Sequence, residues 1–267
     1  MQHAQKYYWI IIVAFSLGFF MKMQLAKQQA EVEVSPSFFQ VPDYISLDTA
    51  RSLRPHKETA ISSMSPSFLG KYPFGDSLIW RVREEWAFDD DYLYYERDTI
   101  SKFLSAGLQL IPRPEIQIED PRIPSNNLAY FPVFLPNETS SSIALFGKDS
   151  HLYATLEARD SFGHWLPISY RSPDFCGWGR WTLKINPQEY GVMLMPVYKG
   201  NFSTQLRVRF INGENISVST PFPASIAYEQ FYFDKASNDK EWAAKDPAAF
   251  ARSYCFGSYP LELIPKY

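Results

Sequence analysis

Short apolar runs recur about every ten residues from Leu128 onward, and this spacing constrains the fold more than any other feature. Turn-forming residues, such as Asp160 to Gly163 and Lys199 to Asn201, separate the runs. No helical stretch lies between them, which argues against alternating strands and helices. The runs are LAYFPVFL, SIALFG, HLYATLEA, WLPISY, RWTLKI, YGVMLMPVY, TQLRVRFI and ISVST. We predict a mainly β fold: an antiparallel β-sandwich with an N-terminal hydrophobic helix and a few short accessory helices.

The run TQLRVRFI shows the alternation of a half-buried strand most clearly. Leu206, Val208 and Phe210 fall on one face, and the two arginines between them fall on the other. The pair Asn212-Gly213 follows, and another strand-like run comes directly after it. An Asn-Gly pair between two strands predicts a β-hairpin.

Helix signals lie outside this region. The stretch Tyr92–Ala106 has apolar residues near one face and ends before a glycine, which predicts a helix with a glycine C-cap. Near the C-terminus, Asp246 precedes Pro247, the arrangement of an N-cap followed by proline at the first helical position. We predict a short helix over Pro247–Ser253 and a returning edge strand over Tyr259–Ile264.

Composition divides the chain into five segments. Residues 31–66 are polar and rich in proline without sustained periodicity, and residues 112–124 form a proline-broken connector. The predicted segments are a signal peptide or membrane anchor (1–27), a tether or irregular arm (28–66), a small mixed segment with one helix (67–124), the β-sandwich domain (125–235) and a C-terminal helix and tail (236–267).

The N-terminal hydrophobic run predicts where the chain resides. Tyr7–Met21 carries no charge and is flanked by Lys6 and Lys22. Its length of about 15 residues suits a secretory signal, whereas a membrane span needs about 20. Extension to Ala26 reaches that length if Lys22 snorkels to the headgroups. Because the candidate cleavage sites at Ala26 and Ala30 have glutamine where a small residue is preferred, an uncleaved anchor is favoured over a cleaved signal.

These features predict an exported protein. With an uncleaved segment it is anchored in the inner membrane with a periplasmic domain; after cleavage it is periplasmic or secreted. The two cysteines, Cys176 and Cys255, then form a disulfide or remain two buried thiols. A net charge of -3 and a pI near 5.9 provide no basic surface for nucleic acid.

Catalytic motifs are not evident in the sequence. The four histidines form no zinc-binding pair, and there is no nucleophile elbow, phosphate-binding loop or dinucleotide-binding motif. The acidic run Asp89–Asp91 lacks the spacing of a calcium loop and fits a solvated turn. We assign no catalytic residue, metal ligand or cofactor and expect a protein that is not an enzyme. A hydrolase whose acidic residues are distant in sequence stays open as a less favoured alternative.

The densest group of candidate binding residues is the loop YRSPDFCGWGRW. It contains Tyr170, Asp174, Trp178 and Trp181, and exposed aromatic rings beside a carboxylate can stack on a sugar or hold a peptide. The alternative, which we favour, is that the two tryptophans cap the core while the glycines permit a tight bend.

The stretch 152–231 carries the phrases LEARDSFGHWLPISY, DFCGWGRWTLKINPQEY, MPVYKGNFSTQLRVRF and STPFPASIAYEQF. In these phrases it resembles a family of uncharacterised exported bacterial proteins. It departs from that family at Phe175, where the family has Trp, and at Trp178, where a small polar residue is commoner. The resemblance implies an exported β-sandwich and supplies no catalytic residue.

We therefore expect a non-enzymatic interaction or structural protein of the cell envelope. Its expected partners are the membrane, through the N-terminal segment, and another envelope protein. The alternative function is a carbohydrate-binding module that uses Tyr170, Trp178 and Trp181 to bind a glycan.

Overall fold

The computed structural model describes residues 39–42, 44–45, 52–75, 78–79, 92–93, 107–120, 127–149, 151–171 and 179–264. All of these residues belong to one compact unit, residues 38–267. The predicted N-terminal helix and most of the predicted tether lie outside the described residues. No helix in the described ranges is long and apolar enough to cross a bilayer.

The described chain is mainly β, as predicted. The strands are β1 Tyr44–Ile45, β2 Ser62–Ser63, β3 Ser67–Pro73, β4 Leu78–Ile79, β5 Tyr92–Leu93, β6 Ile111–Pro112, β7 Tyr130–Pro136, β8 Ile143–Lys148, β9 His151–Leu152, β10 Ala154–Arg159, β11 Trp165–Pro167, β12 Ser169–Tyr170, β13 Arg180–Ile185, β14 Glu189–Pro196, β15 Phe202–Asn212, β16 Asn215–Val218 and β17 Phe222–Ile226. Two α-helices follow, α1 Asn238–Lys245 and α2 Pro247–Tyr254, with 3₁₀ turns at Tyr228–Phe231 and Leu261–Leu263.

Eight strands form the larger antiparallel sheet, in the order β5-β13-β8-β9-β3-β14-β7-β6. In its interior, β14 pairs with β3 on one side and β7 on the other. Both β7 and β14 are buried almost throughout, which explains their nearly continuous apolar sequences. Because β3 comes from the segment before the proline-broken connector, that segment shares a sheet with the strands that follow it.

Five strands form the smaller antiparallel sheet, in which β15 is the longest. It pairs with β10 along one side and with β16 and β17 in succession along the other. The predicted alternation is confirmed: Leu206, Val208 and Phe210 are buried. The predicted hairpin is also confirmed, because Asn212 pairs with Asn215 across a two-residue turn that starts at Gly213 with φ 63°.

Both sheets contribute to the largest apolar core. Leu145 and Leu183 from the larger sheet belong to the same buried cluster as Leu156 and Val208 from the smaller one. The chain passes from the larger sheet to the smaller one between β9 and β10, because β9 pairs with β8 and β10 pairs with β15. The core therefore depends on contacts that no single run of sequence contains.

The C-terminal helices begin at capped positions. The side chain of Asp246 accepts a hydrogen bond from the Ala249 amide at 2.9 Å, which confirms the predicted start of α2. Helix α1, which the sequence analysis did not predict, begins after Ser237, whose side chain accepts from the Asp239 amide. Phe250 of α2 packs in a second apolar cluster with, among others, Ile61, Tyr170, Phe233, Cys255 and Leu263.

Two secondary-structure predictions need correction, and one strand was missed. The helix expected over Tyr92–Ala106 is wrong at its first two residues, since Tyr92–Leu93 pairs with β13; its other residues lie outside the described ranges. The edge strand expected over Tyr259–Ile264 is a 3₁₀ turn at Leu261–Leu263. Strand Phe222–Ile226 was not predicted, because its proline is unfavourable in a strand.

The proline-rich arm before β3 packs along the body of the protein. Its backbone bonds to several separate segments: the His56 amide donates to the Val197 carbonyl at 2.7 Å, and the Ile61 amide donates to the Tyr232 carbonyl at 2.8 Å. Further upstream, Phe39 is buried in an aromatic cluster with Phe134, Tyr190 and Val192. The arm and the segment around Phe39 both pack on the sheets, which explains why they contain apolar residues.

Candidate functional site

The predicted ligand residue Tyr170 is buried in the C-terminal cluster. Its ring packs against Phe233 and Phe250, with centroid separations of 5.9 and 5.5 Å. Its hydroxyl donates to Asp239 Oδ2 at 2.6 Å. Burial and the neighbouring Asp239 carboxylate both raise the pKa of this phenol. The residue therefore joins β12 to helix α1 and presents no ring face to solvent.

Trp181 is buried in a different cluster, against the larger sheet. Its ring packs on Phe68 at 5.2 Å, and its Nε1 donates to the Asp149 carbonyl at 2.6 Å. The indole lies directly over Gly147, where an added Cβ would come within 2.1 Å of the ring. The structure thus does not bring Trp181 together with Tyr170. The other two candidates, Asp174 and Trp178, lie outside the described residues.

Cys255 is buried beside the aromatic residues of the C-terminal cluster, and its thiol forms no disulfide with another described residue. Burial raises its thiol pKa, and the nearby Glu157 carboxylate raises it further. Cys176 lies outside the described residues, so the proposed pairing of the two cysteines stays a prediction.

A shallow groove of about 830 Å³ lies where β10, β15 and β17 meet. Its lining combines a guanidinium, a carboxylate, hydroxyls and an amide with a substantial apolar surface: Arg159, Asp160, Ser161, Phe202, Ser203, Thr204, Gln205, Pro223, Ala224 and Ser225. The sequence analysis recognised the Asp160–Gly163 turn but not this groove, because its walls come from segments distant in sequence.

Asp160 holds the turn beside the groove in one conformation. Its Oδ1 accepts from the amides of Phe162 and His164 at 2.9 and 2.7 Å, and its Oδ2 lies 3.2 Å from His164 Nδ1. The carboxylate is thereby occupied within the turn, while the Phe162 side chain is 81% exposed. A fixed turn that presents an aromatic ring to solvent is preorganised for contact with a ligand.

Arg159 differs from the other arginines of the smaller sheet. Its Nε donates to the Gly163 carbonyl at 3.3 Å, and no carboxylate in the described ranges forms an ion pair with it. By contrast, Arg207 and Arg209 both bind the buried Glu157, at 2.6 and 2.9 Å. Arg207 is further fixed because its guanidinium lies 4.3 Å from the ring centre of Trp165.

Strand β16 is an open edge of the smaller sheet. Within the described part of the chain it pairs with β15 alone. Ile216 is 50% exposed and Val218 is 41% exposed, and both lie on the same face of the strand. The sequence analysis assigned this strand but gave no signal that it would lie at an edge.

His56 is a buried histidine of the arm. His56 is 3% exposed, and burial lowers the pKa of its imidazole to about 4. Its ring meets Tyr130 edge to face at 4.8 Å. These aromatic surroundings favour the neutral imidazole, because they provide no negative charge to stabilise the protonated ring.

The described residues contain no group of three or more His, Cys, Asp or Glu side chains placed to hold a metal ion. Comparison with family models, curated proteins and solved structures found no match to this chain. The resemblance of residues 152–231 to exported bacterial proteins therefore stays a prediction.

Proposed function

We propose that this protein is a non-enzymatic interaction or structural protein of the cell envelope. In this proposal its body is an antiparallel β-sandwich outside the cytoplasm, and an N-terminal hydrophobic helix anchors it in the inner membrane. The uncharged run Tyr7–Met21 supports this location. If that segment is cleaved, the same body is periplasmic or secreted.

The observation that carries the interaction role is the open edge at β16. Asn212 and Asn215 close the hairpin, so alternate residues of β16 direct their backbone groups away from β15. By this alternation the outward amides and carbonyls are those of Ile216 and Val218, the same residues whose apolar side chains are exposed. An extended segment of a partner can pair with such an edge and cover its side chains.

The other edges of this sheet differ from β16 in composition. Strand β17 contains Pro223, and β11 ends at Pro167. Proline at an edge removes a backbone donor and discourages pairing with another chain. The sequence of β16, NISV, has neither proline nor charge. This contrast favours β16 as the edge that receives a partner strand from another envelope protein.

The carbohydrate-binding alternative centred on Tyr170 and Trp181 receives no support from these two rings. Both are buried, in separate clusters, with internal hydrogen-bond partners. Stacking on a sugar requires an exposed ring face, which neither residue offers.

Photo-crosslinking in native membranes tests the proposal with the full-length chain. A photoreactive residue at Ile216 or Val218 should capture one specific envelope protein. A photoreactive residue at Lys245, which is exposed on α1, serves as the control and should not capture it. The variant Val218→Lys introduces an edge charge and should abolish capture at Ile216 without reducing the thermal stability of the fold. Equal capture at Lys245, or no protein captured at β16, would overturn the proposal.

A further inference from the structure

The groove beside Arg159 combines features that together recognise one class of ligand. We propose that it binds an acidic saccharide, with the Arg159 guanidinium pairing with a sugar carboxylate and the neighbouring polar side chains binding ring hydroxyls. This inference goes beyond the strand-pairing role, because the groove lies at the Phe202–Gln205 end of β15 and β16 pairs with the Arg209–Asn212 end.

The charge at the groove is the first argument. Arg159 is exposed, and within the described ranges it forms no ion pair. Its neighbour Asp160 also lines the groove, but both oxygens of that carboxylate are hydrogen-bonded within the turn and form no ion pair with Arg159 in the described ranges. A guanidinium whose terminal nitrogens are available can bind a carboxylate through two parallel hydrogen bonds.

The surrounding sheet face adds to the positive potential. Alternation along β15 places Ser203, Gln205 and Arg207 on the same face. Arg207 and Arg209 share the single carboxylate of Glu157, which leaves an excess of one positive charge next to the groove. An anionic ligand is therefore favoured over a neutral one of the same shape.

The polar lining is the second argument. Ser203 and Ser225 are cross-strand partners, so their hydroxyls lie side by side, and Gln205 follows on the same face. The side chains of Ser203 and Gln205 make no hydrogen bond to other described residues. Hydroxyls both donate and accept, and the amide of Gln205 offers each role separately, which matches the mixed donors and acceptors of sugar hydroxyls.

An exposed aromatic residue in the turn that borders the groove is the third argument. Phe162 follows Ser161, which lines the groove, and its side chain is 81% exposed. The apolar C–H face of a sugar ring can pack on such a ring while the hydroxyls face the polar lining. A volume of about 830 Å³ lies within the range of small-ligand sites, and its shallowness suits a short oligosaccharide lying along the sheet.

Calorimetric titration of the full-length protein tests the assignment with two probes of similar shape, trigalacturonate and neutral galactotriose. We expect trigalacturonate to bind at least about tenfold tighter, because a charge-assisted pair contributes that much. Arg159→Gln should reduce binding of trigalacturonate to the level of galactotriose, and Arg159→Lys should give an intermediate affinity. Arg252→Gln, at an exposed arginine on α2, is the control and should change nothing.

Two further variants test whether saccharide binding is independent of the β16 edge and whether it requires more than non-specific attraction of an anion. Phe162→Ala should weaken both probes, since stacking does not depend on the carboxylate. Val218→Lys should leave the binding of both probes unchanged. Absence of trigalacturonate binding, equal affinity for the two probes, or an Arg159→Gln protein that binds like the wild type would each overturn the assignment, whether or not β16 captures a partner.

Discussion

The rings of His56 and Tyr198 lie edge to face with their centroids 5.9 Å apart, and both side chains are buried. His56 Nε2 finds no hydrogen-bond partner in the described part of the chain. Unpartnered buried polar atoms cost free energy, and the cost rises if the imidazole becomes charged. The pair therefore makes docking of the arm sensitive to pH.

Stability should fall as the pH drops through the range in which only the unfolded chain protonates His56. That range extends from the ordinary pKa of 6.5 down to about 4 in the folded protein. Across it we expect the free energy of unfolding to decrease by about 3 kcal/mol at most and then to level off. Urea unfolding at pH 7, 5.5 and 4 measures this change.

A variant is needed to isolate the contribution of His56. Burial raises the carboxyl pKa of Glu58 in the same arm, because the ionised carboxylate is disfavoured in the folded state. The free energy of unfolding contributed by Glu58 therefore increases as the pH falls, opposite to the contribution of His56. His56→Phe keeps the aromatic contact and cannot protonate. The difference in unfolding free energy between wild type and His56→Phe should therefore show the predicted decrease between pH 7 and pH 4. Parallel plots of unfolding free energy against pH for the two proteins would contradict the prediction.

Gly147 and Trp181 should be strongly coupled. An added Cβ at Gly147 would lie 2.1 Å from the indole, so Gly147→Ala should destabilise the protein by about 1–3 kcal/mol. Trp181→Ala alone should cost about 3–5 kcal/mol. In the double variant the cost of the alanine at 147 should largely disappear. Additive losses in a denaturant-unfolding cycle would show that the ring is not the obstacle.

Glu157 should be far more important for stability than a surface acid. It is 1% exposed and binds two partly buried arginines, so Glu157→Gln leaves both guanidiniums without their anion, and we expect a loss of about 3 kcal/mol. The control is Lys240→Gln, which removes the exposed pair with Glu262 and should cost less than about 1 kcal/mol. Thermal unfolding of both variants at two salt concentrations checks the comparison, since the buried pair is little screened.

Phe39 should anchor residues 39–42 to the rest of the described chain. Its ring lies 5.1 Å from both Phe74 and Tyr190, and its amide donates to Glu138 Oε1 at 2.9 Å. Phe39→Ala should therefore destabilise the full chain by about 3 kcal/mol. Phe162→Ala removes an equal side chain from an exposed position and should change stability by less than about 0.5 kcal/mol. Similar midpoints for the two variants in urea would contradict the docked position of Phe39.

The thiol of Cys255 should react only when the protein opens. It is buried, and its raised pKa keeps it protonated at neutral pH. In a Cys176→Ser variant, labelling with a thiol reagent should be slow under native conditions and complete in denaturant. Rapid native labelling would contradict the packing of the C-terminal cluster. A wild-type chain that shows no thiol after denaturation without reductant would instead establish the disulfide.

Features that depend on neighbouring residues can be predicted from the sequence. Alternation in Leu206–Phe210 predicted the inward face of β15, Asn212-Gly213 predicted its hairpin, and the Asp246-Pro247 cap predicted the start of α2. Each of these is a local signal: a two-residue side-chain period, a turn conformation or a capping hydrogen bond. Such interactions form within a few residues, so they leave a pattern that can be read directly.

Which residues meet and which are exposed depends on how the strands assemble in three dimensions. Tyr170 and Trp181 are eleven positions apart and enter different clusters, whereas Glu157 meets Arg207 and Arg209 from a strand some fifty residues away. Strand order depends on long-range pairing, which leaves no periodic trace in the chain. For that reason the groove beside Arg159 and the open edge at β16 became visible only once the sheets had been assembled.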